Sequence, residues 1–333
     1  MSKPLTKVPT LDDVAALAGV SSATVSRFLN NPKVVAAATG GRIQAAVDET
    51  GYIPNALAGG LASNRSRMVA VLIPQLENSI LNDMIERMVN EMNACGYNVM
   101  MGLTGATPDR TEALVRAALA RRADAIIATG HSDERLHALV ERSGALFIQV
   151  WDLPEKPIGM AIGFSHTDAG RDIARFLSSR GYRRPHLVTA DSPRAQGRRA
   201  GFLAEWEQLG GNPPTESTVD MPTRFGHARR IFADIRRMEH RPDVIICGSD
   251  HLAQGMIVEA QSAGLRVPDD LGVLGFGNSA ISGEMRPTIT SVDVDGERIA
   301  REVMAALALH LEGTELPSRT IDVGFRIIAR ESV

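Results

Sequence analysis

The stretch TLDDVAALAGVSSATVSRFLNN, Thr10 to Asn31, carries short recognition groups at helical spacing. Ser21, Ser22, Thr24 and Ser26 offer hydroxyls, Ala23 a methyl, Arg27 a guanidinium and Asn30 an amide. A guanidinium can bond a guanine edge through two parallel hydrogen bonds, and a methyl can meet the thymine methyl. Short donors suit phosphate oxygens, which fix position without reading sequence. Ser22, Ala23 and Arg27 are therefore the expected base contacts, and Ser21, Thr24, Ser26 and Asn30 the expected phosphate contacts.

Two helices must position these groups. Thr10 with Asp13 forms a capping-box-like start, and Leu11, Val14, Ala15 and Ala18 make one apolar face. Gly19 interrupts the pattern, and Ser21 or Ser22 starts a second helix with Val25 and Leu29 inward. Two short helices around a glycine turn make a helix-turn-helix, whose second helix enters the major groove N-terminus first. The plainer alternative is a small helical subdomain in which the hydroxyls only cap helices. A third helix is expected from about Thr39 to Glu49, ending at Gly51. Beyond it, GYIPNALAGGLASNRSR reads as a small-residue helix capped by Asn55. Gly59 and Gly60 each cost that helix about 1 kcal/mol against alanine, so it needs a partner to form.

From Met68 the texture changes to continuous apolar runs, among them MVAVLIP, DAIIATG, ALFIQVW, DVIICGSD and LGVLGFG, separated by helical segments. Unbroken apolar strands alternating with helices imply a parallel sheet covered on both faces. The length suits two doubly wound subdomains with ligands at the carboxyl ends of the strands. The fold class is thus α/β with an all-α head.

The 333 residues are 44% apolar and carry a formal net charge of −3, ample for more than one core. Up to Arg65 there are six Lys/Arg against four Asp/Glu, so this part is +2 and the rest −5, a mild tilt toward nucleic acid at the head. Cys95 and Cys247 read as buried thiols in a reducing compartment. MSKPLTKVPTL has no apolar signal core, and no run approaches the ~18 apolar residues of a membrane span. A cytoplasmic protein with no membrane partner is expected.

The head and the segment GYIPNALAGGLA resemble the lac-repressor family, and FIQVWD, GYRRPHLVTA, CGSDHLAQGM, GLRVPDDLGVLGFGN and RPTITSV fall in that family's order along the whole chain. YIPN, MAIGF and GFGN are similar to its gluconate-utilisation repressor branch. The resemblance implies a helix-turn-helix head over 1–54, a hinge helix and linker over 55–66, and a periplasmic-binding-protein-like effector and dimerisation domain over 67–333. Its two subdomains would be joined by crossovers near 161–168, 291–295 and 322–325. Tyr52 and Asn55 join the phosphate contacts, and Leu61 is the residue that wedges into the minor groove of a kinked operator. The partners implied are a pseudo-palindromic DNA operator, a second copy of the chain and a small sugar or sugar-acid effector, with no cofactor and no metal.

The effector positions implied are Ser79, Leu81, Thr129, His131, His166, Arg198, Ser249, Asp250 and Gly277. Two departures stand out. Ala36 and Gly40 replace the usual helix-start hydroxyl and a common basic residue, so the third helix is expected to start late or fray. Gly277 stands where most relatives carry an aspartate that grips sugar hydroxyls. Loss of a carboxylate there suits an anionic effector, with Arg198 and Arg194, His131 or His166 as counter-charges. A neutral sugar, or a ligand acting as co-repressor, is the alternative.

GFGNSA, Gly275 to Ala280, imitates a dinucleotide fingerprint with Asp295 twenty residues beyond Gly275. That fingerprint needs a helix to begin at once, and Gly283 and Pro287 oppose a long one. Asp152, Asp191, His166 and His251 stand at expected strand exits, but no nucleophile–base pair or metal-ligand spacing links them. An enzyme on this fold therefore has no positive support, and a free sugar-binding protein would lack an export signal and leave the helix-turn-helix unexplained.

Overall fold

The computed structural model describes residues 8–54, 66–76, 81–105, 108–130, 134–221 and 223–333. The chain divides into two compact units, Met1–Arg67 and Met68–Val333.

The first unit holds α1 (Leu11–Ala18), α2 (Ser22–Asn30) and α3 (Ala37–Thr50). The Thr10 side chain accepts from the Asp13 N–H, and the Asp13 carboxylate accepts from the Thr10 N–H at 2.8 Å, so the capping box is complete. Gly19 adopts the left-handed conformation, φ 63°, and its N–H closes α1 on the Ala15 and Ala16 carbonyls. Ser21 caps α2 by accepting from the Thr24 N–H at 3.2 Å. The third helix departs from expectation. It starts at Ala37, two residues earlier than Thr39, although Ala36 supplies no side-chain cap. Burial does the holding, since Gly40, Ile43 and Ala46 face inward. A Cβ at Gly40 would stand 2.9 Å from the Phe28 ring, so this position serves the head's core and has no room for a long basic side chain. That core is Val14, Ala15, Ala18, Val25, Ile43 and Ala46, ringed by Phe28, Leu29 and Tyr52.

The second unit begins β1 (Met68–Ile73), α4 (Asn82–Ala94), β2 (Asn98–Leu103), α5 (Pro108–Ala120), β3 (Ala125–Ala128), α6 (Glu134–Ser143), β4 (Leu146–Asp152) and β5 (Met160–Phe164). It continues α7 (His166–Ser179), β6 (Pro185–Ala190), α8 (Pro193–Gln208), β7 (Thr215–Val219), α9 (His227–Ile235), β8 (Val244–Cys247) and α10 (Asp250–Ser262). It ends β9 (Gly272–Phe276), α11 (Ala280–Glu284), β10 (Thr290–Asp293), α12 (Gly296–Leu311), β11 (Thr320–Asp322) and β12 (Arg326–Ile328). The strands form two six-stranded sheets, ordered β11-β5-β4-β3-β1-β2 and β12-β10-β9-β8-β6-β7. Every pairing is parallel except β10 with β12. Strands β3, β8 and β9 are buried along their whole length, as a sheet covered on both faces requires.

The chain leaves the first sheet between β5 and α7, returns between β10 and α12, which packs on α4, and crosses again between β11 and β12. One thiol departs from expectation: Cys247 is buried, but Cys95 is exposed where α4 ends ahead of a Gly96 turn. No helix among the described residues is long and apolar enough to cross a membrane.

Helices α7 and α8 touch backbone to backbone. A methyl on Gly170 would collide with the Arg198 carbonyl oxygen, and one on Gly201 with that of Thr167. This crossing carries the first residue of α7 and the first turns of α8 toward each other. Gly201→Ala is expected to lower unfolding free energy by about 3 kcal/mol, because overpacking at a rigid backbone contact has nowhere to relax. A urea midpoint equal to that of the unaltered protein would show that the helices separate at no cost.

Candidate functional site

On the head, Ala23 and Arg27 are exposed on α2, and Arg27 makes no side-chain hydrogen bond among the described residues. The hydroxyls beside them are already engaged. Ser22 Oγ donates to Asp12 Oδ1 at 2.5 Å, Ser21 Oγ and Thr24 Oγ1 share a bond at 2.9 Å, and Asn30 Nδ2 donates to Ser26 Oγ at 3.5 Å. Exposed cation, methyl and pre-oriented short polar groups along one helix form a surface suited to a DNA groove.

In the second unit, charged groups gather at the carboxyl ends of the strands. Asp152, at the end of β4, accepts from Arg194 Nε and NH2 at 2.5–2.9 Å and stands 3.2 Å from His166 Nε2. His166 Nδ1 lies 3.0 Å from Arg198 NH1, and the Arg198 guanidinium covers the Phe276 ring at 4.1 Å. With Arg198 donating to Nδ1, His166 is the neutral tautomer whose Nε2–H faces Asp152. Burial would raise the Asp152 carboxyl, but Arg194 and His166 outweigh it and hold the group well below the usual carboxylate range. Burial, aided by Arg198, pushes His166 down to about 4 against the pull of Asp152. Burial and the charge of Arg194 pull Arg198 down to about 10.

Phe164 links this chain of charges to a cleft. Its ring lies 4.4 Å from His166, 5.5 Å from Trp151, 6.2 Å from Phe276 and 6.1 Å from Phe325, centroid to centroid. The cleft, about 590 Å³, is bordered by Trp151, Gly277, Asn278, Asp293, Asp295 and Phe325 among others.

Residues 10–55 match the model of bacterial regulatory proteins of the lacI family, and 174–333 match a periplasmic binding protein-like domain. The chain is 30% identical over 328 residues to the HTH-type transcriptional regulator GntR of Escherichia coli (strain K12), covering 96% of this chain and 97% of that one. It belongs to the lacI family. The GntR regulator of Pseudomonas aeruginosa is 31% identical, with 97% and 95% of the two chains covered. A LacI-family transcriptional regulator from Silicibacter pomeroyi superposes with a TM-score of 0.90 at 27% identity, over 97% of this chain and 99% of that chain. This lacI-family member is a DNA-binding transcriptional regulator, with a helix-turn-helix head and two parallel-sheet subdomains.

The structure brings only some of the expected effector positions together. His166 and Arg198 meet directly. Thr129 directly follows β3, with its Oγ1 buried and unpartnered among the described residues, and Gly277 borders the cleft. Leu81 is 3% exposed and belongs to the core. Ser249 caps α10 and shares a bond of 2.9 Å with Thr223, while Asp250 is wholly buried and accepts from Ser279 N, Ser279 Oγ and Ser291 Oγ at 2.6–3.1 Å. Those two side chains tie strand exits together, and neither is among the residues that border the cleft. Asn55, Leu61, Ser79 and His131 lie outside the described residues. The Gly277 wall is also less bare than the sequence suggests, since Asp293 and Asp295 border the same cleft. The dinucleotide imitation ends in α11, a helix of only five residues.

Trp151, Phe164, Phe276 and Phe325 were not singled out by sequence. Each closes an apolar run or crossover, and nothing in such a run marks which residue ends beside the cleft or the charges.

His186, wholly buried between Thr215 Oγ1 at 2.7 Å and Ser217 Oγ at 3.0 Å, is also pushed by burial down to about 4. The unfolded chain protonates its histidines near pH ~6.5. Between there and about 4 it binds protons that folded His166 and His186 refuse, so stability falls as pH falls. Each histidine accounts for a loss of about 3 kcal/mol, and Asp152 adds to it only at lower pH, where the unfolded carboxyl titrates. Urea unfolding followed across that window should show the decline, and His166→Gln should remove about half of it. A variant with an undiminished slope would mean that water already solvates the imidazole.

Proposed function

We propose that this regulator is a homodimeric repressor released from its operator by a sugar acid, gluconate-like, held between the two subdomains of the second unit. The observation that carries the effector class is the charge balance at Arg198. Its described partners are a neutral imidazole and an aromatic face, while Asp152, the one carboxylate in the chain of contacts, is taken by Arg194. The group of Asp152, Arg194, His166 and Arg198 therefore holds one positive charge in excess. A bound carboxylate would pair with it at hydrogen-bond range, the strongest geometry available to a part-buried guanidinium.

On the DNA side, Arg27, Ala23 and Ser22 are the base contacts in this reading, with Ser21, Thr24, Ser26, Asn30, Tyr52 and Asn55 on phosphates and Leu61 as the wedge. One short helix reads few base pairs, so a two-fold operator calls for two heads and hence a dimer. Release follows if the acid binds the DNA-incompetent arrangement more tightly than the competent one.

Thermal denaturation with gluconate, glucose and other matched acid and neutral sugars tests the effector class. Gluconate at about 100 times its Kd should add roughly 2.7 kcal/mol of stability. Arg198→Gln should abolish that gain while the variant still binds a duplex selected from a random pool. Gluconate should weaken that duplex binding in the unaltered protein. Stabilisation by neutral sugars alone, or equal stabilisation of Arg198→Gln, would sink the acid reading.

A further inference from the structure

Strand β4 ends in a backbone conformation that is costly for a bulky residue, and it carries a donor with no acceptor among the described residues. Trp151 has φ +81°, on the left-handed side of the map that large side chains rarely adopt. The neighbouring strand makes room for it. Gly163 is paired with Trp151, and a Cβ there would press to 2.6–2.7 Å from the backbone of Trp151 and Asp152. The turn sets the indole edge-on to Phe164, with the rings at 85°. Trp151 is 2% exposed, and its Nε1 has no hydrogen-bond partner among the described residues. A buried indole N–H normally finds an acceptor. Trp206 does so, donating to the Asn212 carbonyl at 2.9 Å.

Trp151 also borders the cleft, whose other charged lining is Asp83, Asp293, Asp295 and Glu297 against Arg87 and Arg326. Arg87 is bound to Glu297 at 2.6 Å and Arg326 to Asp293 at 2.8 Å, so acids are in excess at this end. A second anionic group would be repelled here, whereas hydroxyls can donate to carboxylates and accept from an indole.

We infer that Trp151 is a specificity-determining residue of the effector cleft, its indole N–H donating to a hydroxyl on the uncharged tail of the ligand. The inference rests on the reading that the ligand's carboxylate lies at Arg198, and it confines the effector to a monocarboxylate with a polyhydroxy tail.

Titration calorimetry of the full chain with D-gluconate and with hexanoate, which has the same carbon count and no tail hydroxyls, tests it in the unaltered protein and in Trp151→Phe. Phenylalanine keeps a ring against Phe164 and removes the N–H. Gluconate affinity should fall about tenfold in the variant, the measure of one hydrogen bond. Hexanoate affinity should not fall, so the preference for gluconate shrinks by the same factor. Saturating gluconate should also shift the tryptophan emission of the unaltered protein, and not that of Trp151→Phe, where Trp206 alone emits. Equal gluconate affinity in the two proteins overturns the inference. Should the variant fail to fold, an unchanged emission in the unaltered protein overturns it as well. If glucose binds and neither acid does, the acid reading fails by itself, and the same comparison run with glucose decides Trp151. If none of the three binds, both fall.

Discussion

Arg198 brings a lasting charge to the point where β4, β5, α8 and β9 converge, and it faces an imidazole and a phenyl ring there. Much of the second unit's design follows from keeping that arrangement fixed. Arg194 holds both oxygens of Asp152, which keeps the carboxylate from swinging over to its second arginine neighbour. His166 must stay neutral to accept from Arg198, and burial keeps it so. The glycines at the α7–α8 crossing set the distance between the two helices, and Gly170 lies directly against the Arg198 backbone. Three aromatic rings from three different crossovers or strand ends, Phe164, Phe276 and Phe325, then form an apolar floor beneath the charges. In such surroundings, weakly screened by solvent, an excess charge is felt strongly by whatever enters.

The head works by a different economy. Its hydroxyls are bonded to one another and to Asp12 before any partner arrives. That ordering holds the side chains close to their working rotamers, which lowers the entropy lost on binding. It also means that a new partner for the Ser22 hydroxyl has to displace Asp12, whereas Arg27 makes no side-chain hydrogen bond among the described residues.

What the sequence revealed was local. The capping box at Thr10, the glycine turn at Gly19 and the alternation of apolar runs with helices each depend on residues a few positions apart. The start of α3 was misjudged because its stability comes from the Phe28 ring lying on Gly40, a contact between helices. Asp250 was picked out by resemblance, but its partners Ser279 and Ser291 lie 29 and 41 positions away, and no local pattern announces that they meet it. Arg198 and His166, 32 positions apart, were each picked out by resemblance, and only the fold shows that they touch. Trp151 was hidden because a backbone dihedral leaves no trace in an apolar run.

The first sheet of the second unit is completed by β11 and covered by α12, both of which follow nearly the whole of the second sheet in the chain. Neither subdomain is a continuous piece of polypeptide. During synthesis, the outer edge of β5 and the face under α12 stay bare until residues up to Asp322 have emerged, by which time β6 to β10 are already available to fold. The subdomain translated first must thus wait for a strand made only after β6 to β10, and a nascent chain stalled before β11 would present an open parallel edge at β5 to its neighbours.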